Sequence, residues 1–187
     1  MKVAVIDGKI NKFRQDFFMQ NTRYSKVFLR ETKEINFEDY THADFIASII
    51  QEYTKLKVVY WITILNQENI GSLDYFVEAL TWCYENHINV INLSLGIVQS
   101  DRIEPLYRIC NKLIEQDTLI FAAFSNSKDA LLTQPAKYPG IIGCCYRGNF
   151  LHKNRICIHI PLKYKLPRLN SYTCAKEMSK YIERGIV

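Results

Sequence analysis

KVAVIDG, residues 2–8, is the most informative stretch of this chain for its architecture. Residues 2–6 form an almost wholly apolar run without the polar alternation of a half-exposed strand. A strand inside a parallel sheet is buried on both faces, so it is apolar at successive positions. The run leads to an acid, Asp7, and open α/β sheets gather functional groups beyond the carboxyl ends of their strands. The stretch therefore predicts a buried parallel strand with Asp7 at its end.

Strand and helix patterns alternate along the rest of the chain. Further strands are predicted for residues 26–30, 57–65, 90–95, 119–124 and 141–145, with a more peripheral strand at 156–160. Helices are predicted for residues 42–52, after an N-cap at Ser72, after a capping box of Asp101 with Glu104, and from Ser171 to a stop at Gly185. This alternation predicts an α/β fold, a doubly wound and mostly parallel sheet flanked by helices, in one domain over residues 1–187.

Four polar residues stand where a predicted strand ends or a predicted helix begins. Asp7 closes the first strand, His42 opens the first helix, and Ser171 opens the last. Asp, His and Ser are the three groups of a nucleophilic triad. Asn126 follows the strand in LIFAAFSNS and carries an amide of the kind that stabilises an oxyanion. The combination points to acyl transfer.

In chain order, these segments resemble the subtilisin-like serine proteases. The matching segments are VAVIDGKI at residues 3–10, HAD at 42–44, IASII at 46–50, NVINLSLG at 89–96, FAAFSN at 121–126, YPGIIG at 138–143 and NSY at 170–172. The order Asp, His, Ser is also the order of the subtilisin triad. The match with the substrate-binding strand of the family, residues 89–96, is the most specific of them.

The resemblance implies a serine endopeptidase and assigns a role to each residue. Ser171 is the expected nucleophile, His42 its base, Asp7 the group that orients the base, and Asn126 the oxyanion donor. Substrate-binding roles are expected for two segments, Ser94, Leu95 and Gly96 as an edge for an added peptide strand, and Ala123, Phe124 and Ser125 as a pocket wall. A peptide or protein substrate is therefore expected, with no cofactor and no metal.

Several positions depart from the family pattern and keep other interpretations open. Ala43 and Leu169 stand where the family has glycine, Ser125 replaces another glycine, and Ala175 with Lys176 replaces a proline and a histidine. A degenerate fold that binds a peptide or partner without cleaving it is the main alternative. A regulatory α/β domain without an active site is a third. Individually, the four polar residues also have ordinary uses as caps and turn formers.

Composition limits the class of protein. The net charge of +5 is spread over several segments of the 187 residues, and 48% of residues are hydrophobic, which argues for a globular core and against nucleic-acid binding. No apolar stretch is long enough to span a membrane, and the N-terminus lacks a signal-peptide pattern, so a cytoplasmic protein is expected. The six cysteines lack metal-site spacing and are expected to be buried thiols.

The expected protease is a compact one. Asp7 follows the first residue by six positions, and the chain ends soon after the serine helix. We therefore expect a truncated form without a prodomain, in which either the pocket is narrow or a protein partner completes the fold. Similar compact subtilisin-like proteins are associated with maturation of ribosomally made, modified peptides, so a precursor peptide is an expected substrate and leader-peptide removal an expected reaction.

Overall fold

The computed structural model describes residues 1–10, 24–27, 41–54, 59–66, 68–98, 101–126, 132–145 and 170–185. The strand predicted at residues 156–160, the departure at Leu169 and most of the basic segments lie outside these residues. Among the described residues the chain forms one α/β unit, as the alternation of patterns predicts.

A six-stranded sheet forms the centre of the protein. Its strands are β1 Val3–Gly8, β2 Tyr24–Val27, β3 Val59–Leu65, β4 Val90–Leu93, β5 Leu119–Ala123 and β6 Ile142–Cys144. They lie in the order β2-β3-β1-β4-β5-β6, and every neighbouring pair is parallel. From β1 the chain passes to β2 at one edge and returns to β3 beside β1. It then crosses to β4 on the other side of β1 and continues outward through β5 to β6. The predicted doubly wound parallel sheet is confirmed.

Four helices cover the two faces of the sheet. They are α1 His42–Tyr53, α2 Leu73–Glu85, α3 Glu104–Glu115 and α4 Asn170–Glu183. Helices α2 and α3 pack on one face around a core that includes Phe76, Leu80 and Leu113. Helices α1 and α4 pack on the other face around Ile46 and Met178. The two helices that carry His42 and Ser171 therefore lie side by side on the same face.

Helix starts follow local capping chemistry, with one correction. Ser72 caps α2 as predicted, because its side chain accepts a hydrogen bond from the backbone N–H of Tyr75. The predicted capping box of Asp101 with Glu104 is wrong: α3 begins after Ile103, which makes no side-chain cap. Proline lies at the start of α3, where its fixed φ suits a first turn and its missing N–H costs nothing. Because proline lacks an N–H, the first turn of α3 has one fewer donor for a side-chain cap to satisfy.

Strand limits differ from the predicted ones by one to three residues. Strand β1 continues through Asp7 to Gly8, with a register shift against β3 between these two residues. Strand β2 begins at Tyr24, two residues earlier than predicted. Strand β4 ends at Leu93, so Ser94 and the residues after it leave the sheet instead of continuing it. The predicted substrate-binding residues Ser94, Leu95 and Gly96 therefore lie just beyond the carboxyl end of β4.

The cysteines within the described residues are buried thiols, as predicted. The five cysteines within the described residues, Cys83, Cys110, Cys144, Cys145 and Cys174, are all buried free thiols. Burial raises the pKa of Cys110 to about 12, so its thiol stays protonated at neutral pH. Among the described helices, none combines the length and the apolar character needed to cross a bilayer.

Candidate active site

Three side chains from distant parts of the chain form one line of hydrogen bonds. The distance from His42 Nδ1 to Asp7 Oδ1 is 3.0 Å, and that from His42 Nε2 to Ser171 Oγ is 2.9 Å. With Nδ1–H donated to the carboxylate, Nε2 is left as the acceptor for the serine hydroxyl. This is the arrangement in which an imidazole removes the proton of an attacking hydroxyl. The structure thus brings together Asp7, His42 and Ser171.

The Asp7 carboxylate is fixed by the end of β1. It is fully buried, and its Oδ1 accepts a hydrogen bond of 2.6 Å from the backbone N–H of Gly8. The carbonyl of Gly8 in turn accepts a hydrogen bond of 2.9 Å from the indole of Trp61 on the neighbouring strand. Within the described residues, Asp7 Oδ2 is buried without a hydrogen-bond partner. The orientation of the carboxylate therefore depends on Gly8 and His42.

His42 is placed by the first turn of α1. The N-cap, Thr41, accepts a hydrogen bond from the backbone N–H of Asp44, and the Asp44 carboxylate accepts one from the backbone N–H of Thr41. The Thr41 hydroxyl has two acceptors for its proton, the Asp44 carboxylate at 2.8 Å and the carbonyl of Lys9, just beyond β1, at 3.2 Å. The ring of Tyr172 stacks on the imidazole, with ring centroids 5.8 Å apart and an interplanar angle of 25°. The cap holds the backbone of His42, and Tyr172 limits the rotation of its ring.

The charge of Asp7 controls the basicity of His42. Burial lowers the pKa of the imidazole, but the attraction and hydrogen bond of the Asp7 carboxylate outweigh burial and raise that pKa above its ordinary value of 6.5. Raising the pKa strengthens His42 as a base, since a base is most effective when its pKa lies near the working pH. The raised pKa of the His42 imidazole therefore suits it to act as a general base near neutral pH.

Ser171 lies in the first turn of α4 and is 6% exposed. The backbone N–H groups of a first helical turn have no partner within the helix, and they carry the positive end of the helix dipole. Ser179, the other serine of this helix, is 0% exposed, and its hydroxyl has no partner among the described residues. Of the two serines, only Ser171 contacts His42.

Asn126 is held at the same place by a residue that the sequence analysis did not single out. The backbone N–H of Asn170 donates to Asn126 Oδ1 at 3.0 Å. The Asn170 side-chain amide donates to the carbonyls of Phe124 and Ser125, at 3.0 and 2.9 Å. Because its oxygen is engaged, Asn126 presents its NH₂ group as the remaining hydrogen-bonding function. The sequence did offer a signal for Asn170, which is its position directly before Ser171 in the motif NSY. A side-chain amide at this position can donate hydrogen bonds to two carbonyl oxygens.

A cavity of about 260 Å³ lies over these residues. Its lining contains His42, Asn126, Ser171 and all six predicted substrate-binding residues, Ser94, Leu95, Gly96, Ala123, Phe124 and Ser125. Leu65, the last residue of β3, and Asn69, in the loop that follows, also line it and were missed, because neither belongs to a recognised motif. Asn69 adopts a φ of 59°, a left-handed conformation that asparagine tolerates better than most residues. The described residues contain no cluster of acidic, histidine and cysteine side chains suited to a metal ion.

Gly96 is required by the wall of the cavity. A Cβ atom at this position would clash with Thr133 Cγ2 and would lie 3.1 Å from the carbonyl oxygen of Gln134. Thr133 Oγ1 accepts a hydrogen bond of 2.8 Å from the backbone N–H of Ser125. A side chain at Gly96 would therefore also disturb the Ser125 segment through Thr133, and would not simply block the addition of a peptide strand.

We expect Gly96→Ala to lower the free energy of unfolding by about 1–3 kcal/mol, the usual cost of overpacking. Thr133→Ser removes the methyl group that meets the new Cβ and keeps the hydroxyl for Ser125. The double variant should therefore regain most of the lost stability in denaturant unfolding. Gly8→Ala is the matched control, because the nearest atom to a Cβ there is 3.7 Å away. Equal losses for Gly8→Ala and Gly96→Ala, or no recovery in the double variant, would contradict the steric explanation.

The sequence of this chain is similar to those of known proteases. The chain is 30% identical over 148 residues to the minor extracellular protease Epr of Bacillus subtilis (strain 168), a match that covers 74% of the chain and 21% of Epr. It also matches subtilisins at 24% identity and spans 39–54% of their lengths. The chain therefore covers much less than the full length of these relatives. No protein-family model matches it.

Solved structures show the same fold. The structure of the prenylagaramide maturation protease PagA superposes with a TM-score of 0.63 at 20% identity, over 99% of this chain and 78% of PagA. A lanthipeptide protease superposes with a TM-score of 0.62 at 17% identity, over 78% of this chain and 48% of that protein. In sequence and in fold, this chain is therefore a subtilisin-like protein, similar to the subtilisin-like serine proteases.

Proposed function

We propose that this protein is a serine endopeptidase that cleaves a peptide or protein substrate with Asp7, His42, Ser171 and Asn126. The observation that carries the proposal is the unbroken hydrogen-bonded line from the buried Asp7 carboxylate through His42 to Ser171 Oγ. Burying a carboxylate beside an imidazole costs free energy. Titratable groups with perturbed pKa values are concentrated at active sites.

Each step of the reaction has a group in place. Ser171 Oγ attacks the peptide carbonyl carbon while His42 Nε2 takes the hydroxyl proton. The resulting tetrahedral oxyanion is stabilised by the Asn126 NH₂ group and the backbone N–H of Ser171 at the positive end of α4. His42 then returns the proton to the leaving amine, and water releases the acyl group by the same steps in reverse.

The substrate is proposed to be a precursor peptide from which a leader is removed. Two solved structures with this fold are those of a maturation protease and a lanthipeptide protease, which supports the choice. The residues that line the cavity, among those described, are uncharged except for His42 when it is protonated. We therefore expect an uncharged residue before the cleaved bond. Free cysteines support a reducing, cytoplasmic location for the reaction.

Two of the family glycines are replaced within the described residues, by Ala43 and Ser125, and the backbone at both positions is unstrained. Ala43 is buried inside α1, and Ser125 is hydrogen bonded to Thr133. Among the described residues that are not glycine, a positive φ is found only at Asn69, His87 and Asp117. Neither replacement thus forces a conformation that a side chain avoids. These two departures therefore do not favour the non-cleaving scaffold, and the experiment below distinguishes the scaffold from the protease.

The direct test is reaction with a fluorophosphonate probe, followed by incubation with candidate precursor peptides and mass spectrometry of the products. We expect one labelled serine, Ser171, and cleavage at a single site in the correct precursor. Both should disappear in Ser171→Ala. A parent protein that binds a precursor peptide but neither reacts with the probe nor cleaves, with or without its partner proteins, would be the scaffold instead.

Asn126→Ala is expected to lower kcat by about 10²–10³-fold, the loss found when subtilisin loses the corresponding donor. Peptide affinity should change little, because the amide acts on a charge that develops only in the transition state. Asn126→Asp is the matched control. It keeps an oxygen for the Asn170 N–H but replaces the NH₂ group with a second, negatively charged oxygen. Activity restored by aspartate would mean that Asn126 only holds Asn170; we expect aspartate to be at least as damaging as alanine.

A further inference from the structure

A second chain of hydrogen bonds runs beneath the cavity, separate from the triad. Asn92 lies at the centre of the sheet, paired with Val5 on β1 and Phe121 on β5, and is 0% exposed. Its Nδ2 lies 2.6 Å from Ser94 Oγ, and its Oδ1 lies 3.3 Å from Cys174 Sγ. Cys174 is one helical turn after Ser171 on α4. The chain therefore joins the serine helix to the cavity through the interior of the protein.

The donors and acceptors give this chain a direction. The carboxamide oxygen of Asn92 only accepts, so Cys174 must donate its S–H to it. The NH₂ group of Asn92 only donates, so Ser94 Oγ accepts from it. A hydroxyl that accepts in this way still has its own proton to donate. Ser94 lines the cavity, and no acceptor for its proton is found among the described residues.

Cys174 is the group that sets this direction. If the Asn92 amide were rotated by half a turn, its oxygen would face Ser94, and Ser94 would have to donate its proton inward. Cys174 also has the carbonyl of Leu93 at 3.7 Å, a longer contact than the one to Asn92. Cys144 is buried beside Cys174, and a hydrogen bond with the Cys174 thiol together with burial raises the pKa of Cys144 well above its usual value. The S–H of Cys144 also has the carbonyl of Ile142 as an acceptor at 3.6 Å. The S–H of Cys174 is thus the donor that keeps the amide oxygen turned toward α4.

We propose that Cys174 is a positioning residue that, through Asn92, directs the Ser94 hydroxyl into the cavity as a donor to a carbonyl oxygen of the bound peptide. The proposal rests on the proposed function for the identity of its ligand, a peptide backbone. The proposal assigns the Ser94 hydroxyl a specific hydrogen bond to the substrate. It also explains why a thiol lies on the buried side of α4. A contact of this kind exists in the ground state and in the transition state alike, so it should affect KM more than kcat.

The first test observes the thiol itself and needs no activity. An S–H that donates to an oxygen absorbs at a lower infrared stretching frequency than one in apolar surroundings. Cys174→Ala identifies the Cys174 band by difference, and Cys83→Ala identifies that of a buried thiol in the other core. We expect the Cys174 band at the lower frequency. Equal frequencies would show that Cys174 does not donate, and would overturn the proposal.

The second test is a double-mutant cycle on hydrolysis of a succinylated tetrapeptide p-nitroanilide with an apolar residue before the cleaved bond. Ser94→Ala should raise KM about three- to tenfold, the range expected for one hydrogen bond, with kcat within about twofold. Cys174→Ala should raise KM by a similar or smaller factor. The double variant should be no worse than Ser94→Ala alone, because both changes remove the same contact.

Cys174→Ser supplies an O–H donor at the same place and should return KM to near the parent value. Cys83→Ala, combined with Ser94→Ala, is the control for a merely structural effect and should be additive. Additive losses for Ser94 and Cys174, or no recovery with serine, would overturn the proposal. If the parent protein has no turnover, the proposed function fails. The infrared comparison then still decides whether Cys174 donates its S–H to Asn92, which sets the direction of the hydrogen bonds.

Discussion

Ser171→Ala is expected to reduce kcat by about 10⁶-fold, the scale of loss found when subtilisin loses its nucleophile. The reason is that no other hydroxyl among the described residues contacts His42, which would then have no proton to remove. Some turnover above the rate in water should remain from oxyanion stabilisation and binding. The measurement is kcat on a peptide p-nitroanilide, together with fluorophosphonate labelling.

Ser179→Ala is the matched control on the same helix. Ser179 is fully buried, and its hydroxyl has no partner among the described residues, so its removal should leave kcat within about twofold of the parent value. His42→Ala combined with Ser171→Ala should be no worse than either single change, because the two groups act as a unit. If Ser179→Ala removed the activity and Ser171→Ala preserved it, the nucleophile would be misassigned.

Asp7→Asn is expected to reduce kcat by about 10⁴-fold, the loss known for a triad whose carboxylate becomes an amide. Asparagine at this position can donate to Nδ1, which favours the tautomer with the proton on Nε2, where it opposes deprotonation of Ser171. The fold should survive, since the two side chains have nearly the same shape. Thermal unfolding of both proteins is the check that the loss is chemical.

The same variant should also move the acidic limb of the pH profile. His42 must be neutral to act as a base, so kcat/KM falls as pH drops through the pKa of His42. In the parent protein, burial lowers that pKa, but Asp7 raises it by a larger amount, so the pKa lies above its ordinary value of 6.5. Without the carboxylate charge, burial dominates and the pKa falls. The residual activity of Asp7→Asn should therefore persist to lower pH than the parent activity; a limb that stays in place or moves to higher pH would contradict the role of Asp7.

Much of the architecture could be predicted from the sequence because its causes are local. The apolar run of β1 requires burial on both faces, and the spacing of Phe76 and Leu80 on α2 gives one buried side. The start of α3 was mispredicted because Asp101 with Glu104 has the composition of a capping box, while the helix begins after Ile103. Composition alone does not determine which of two adjacent starts is used.

The sequence by itself identified the residue types of the candidate site, their order along the chain and the elements that carry them. It also named the lining of the cavity at Ser94 to Gly96 and Ala123 to Ser125. These predictions were possible because each motif is a short segment whose residues are neighbours in the chain, and because the order of motifs resembles that of a known family. Local sequence pattern was therefore sufficient to predict the residue types of the site and the segments that line the cavity.

Only the tertiary structure decided which atoms meet. Asn170 bridging to Phe124 and Ser125, Thr133 against Gly96, and Cys174 bonded to Asn92 all join residues that are 37 to 82 positions apart. Such contacts depend on the distance between strands and on how a helix rotates against the sheet. Side-chain packing over the whole core sets both of these quantities, so no short segment contains them. The same packing places His42 within 3.0 Å of both Asp7 and Ser171.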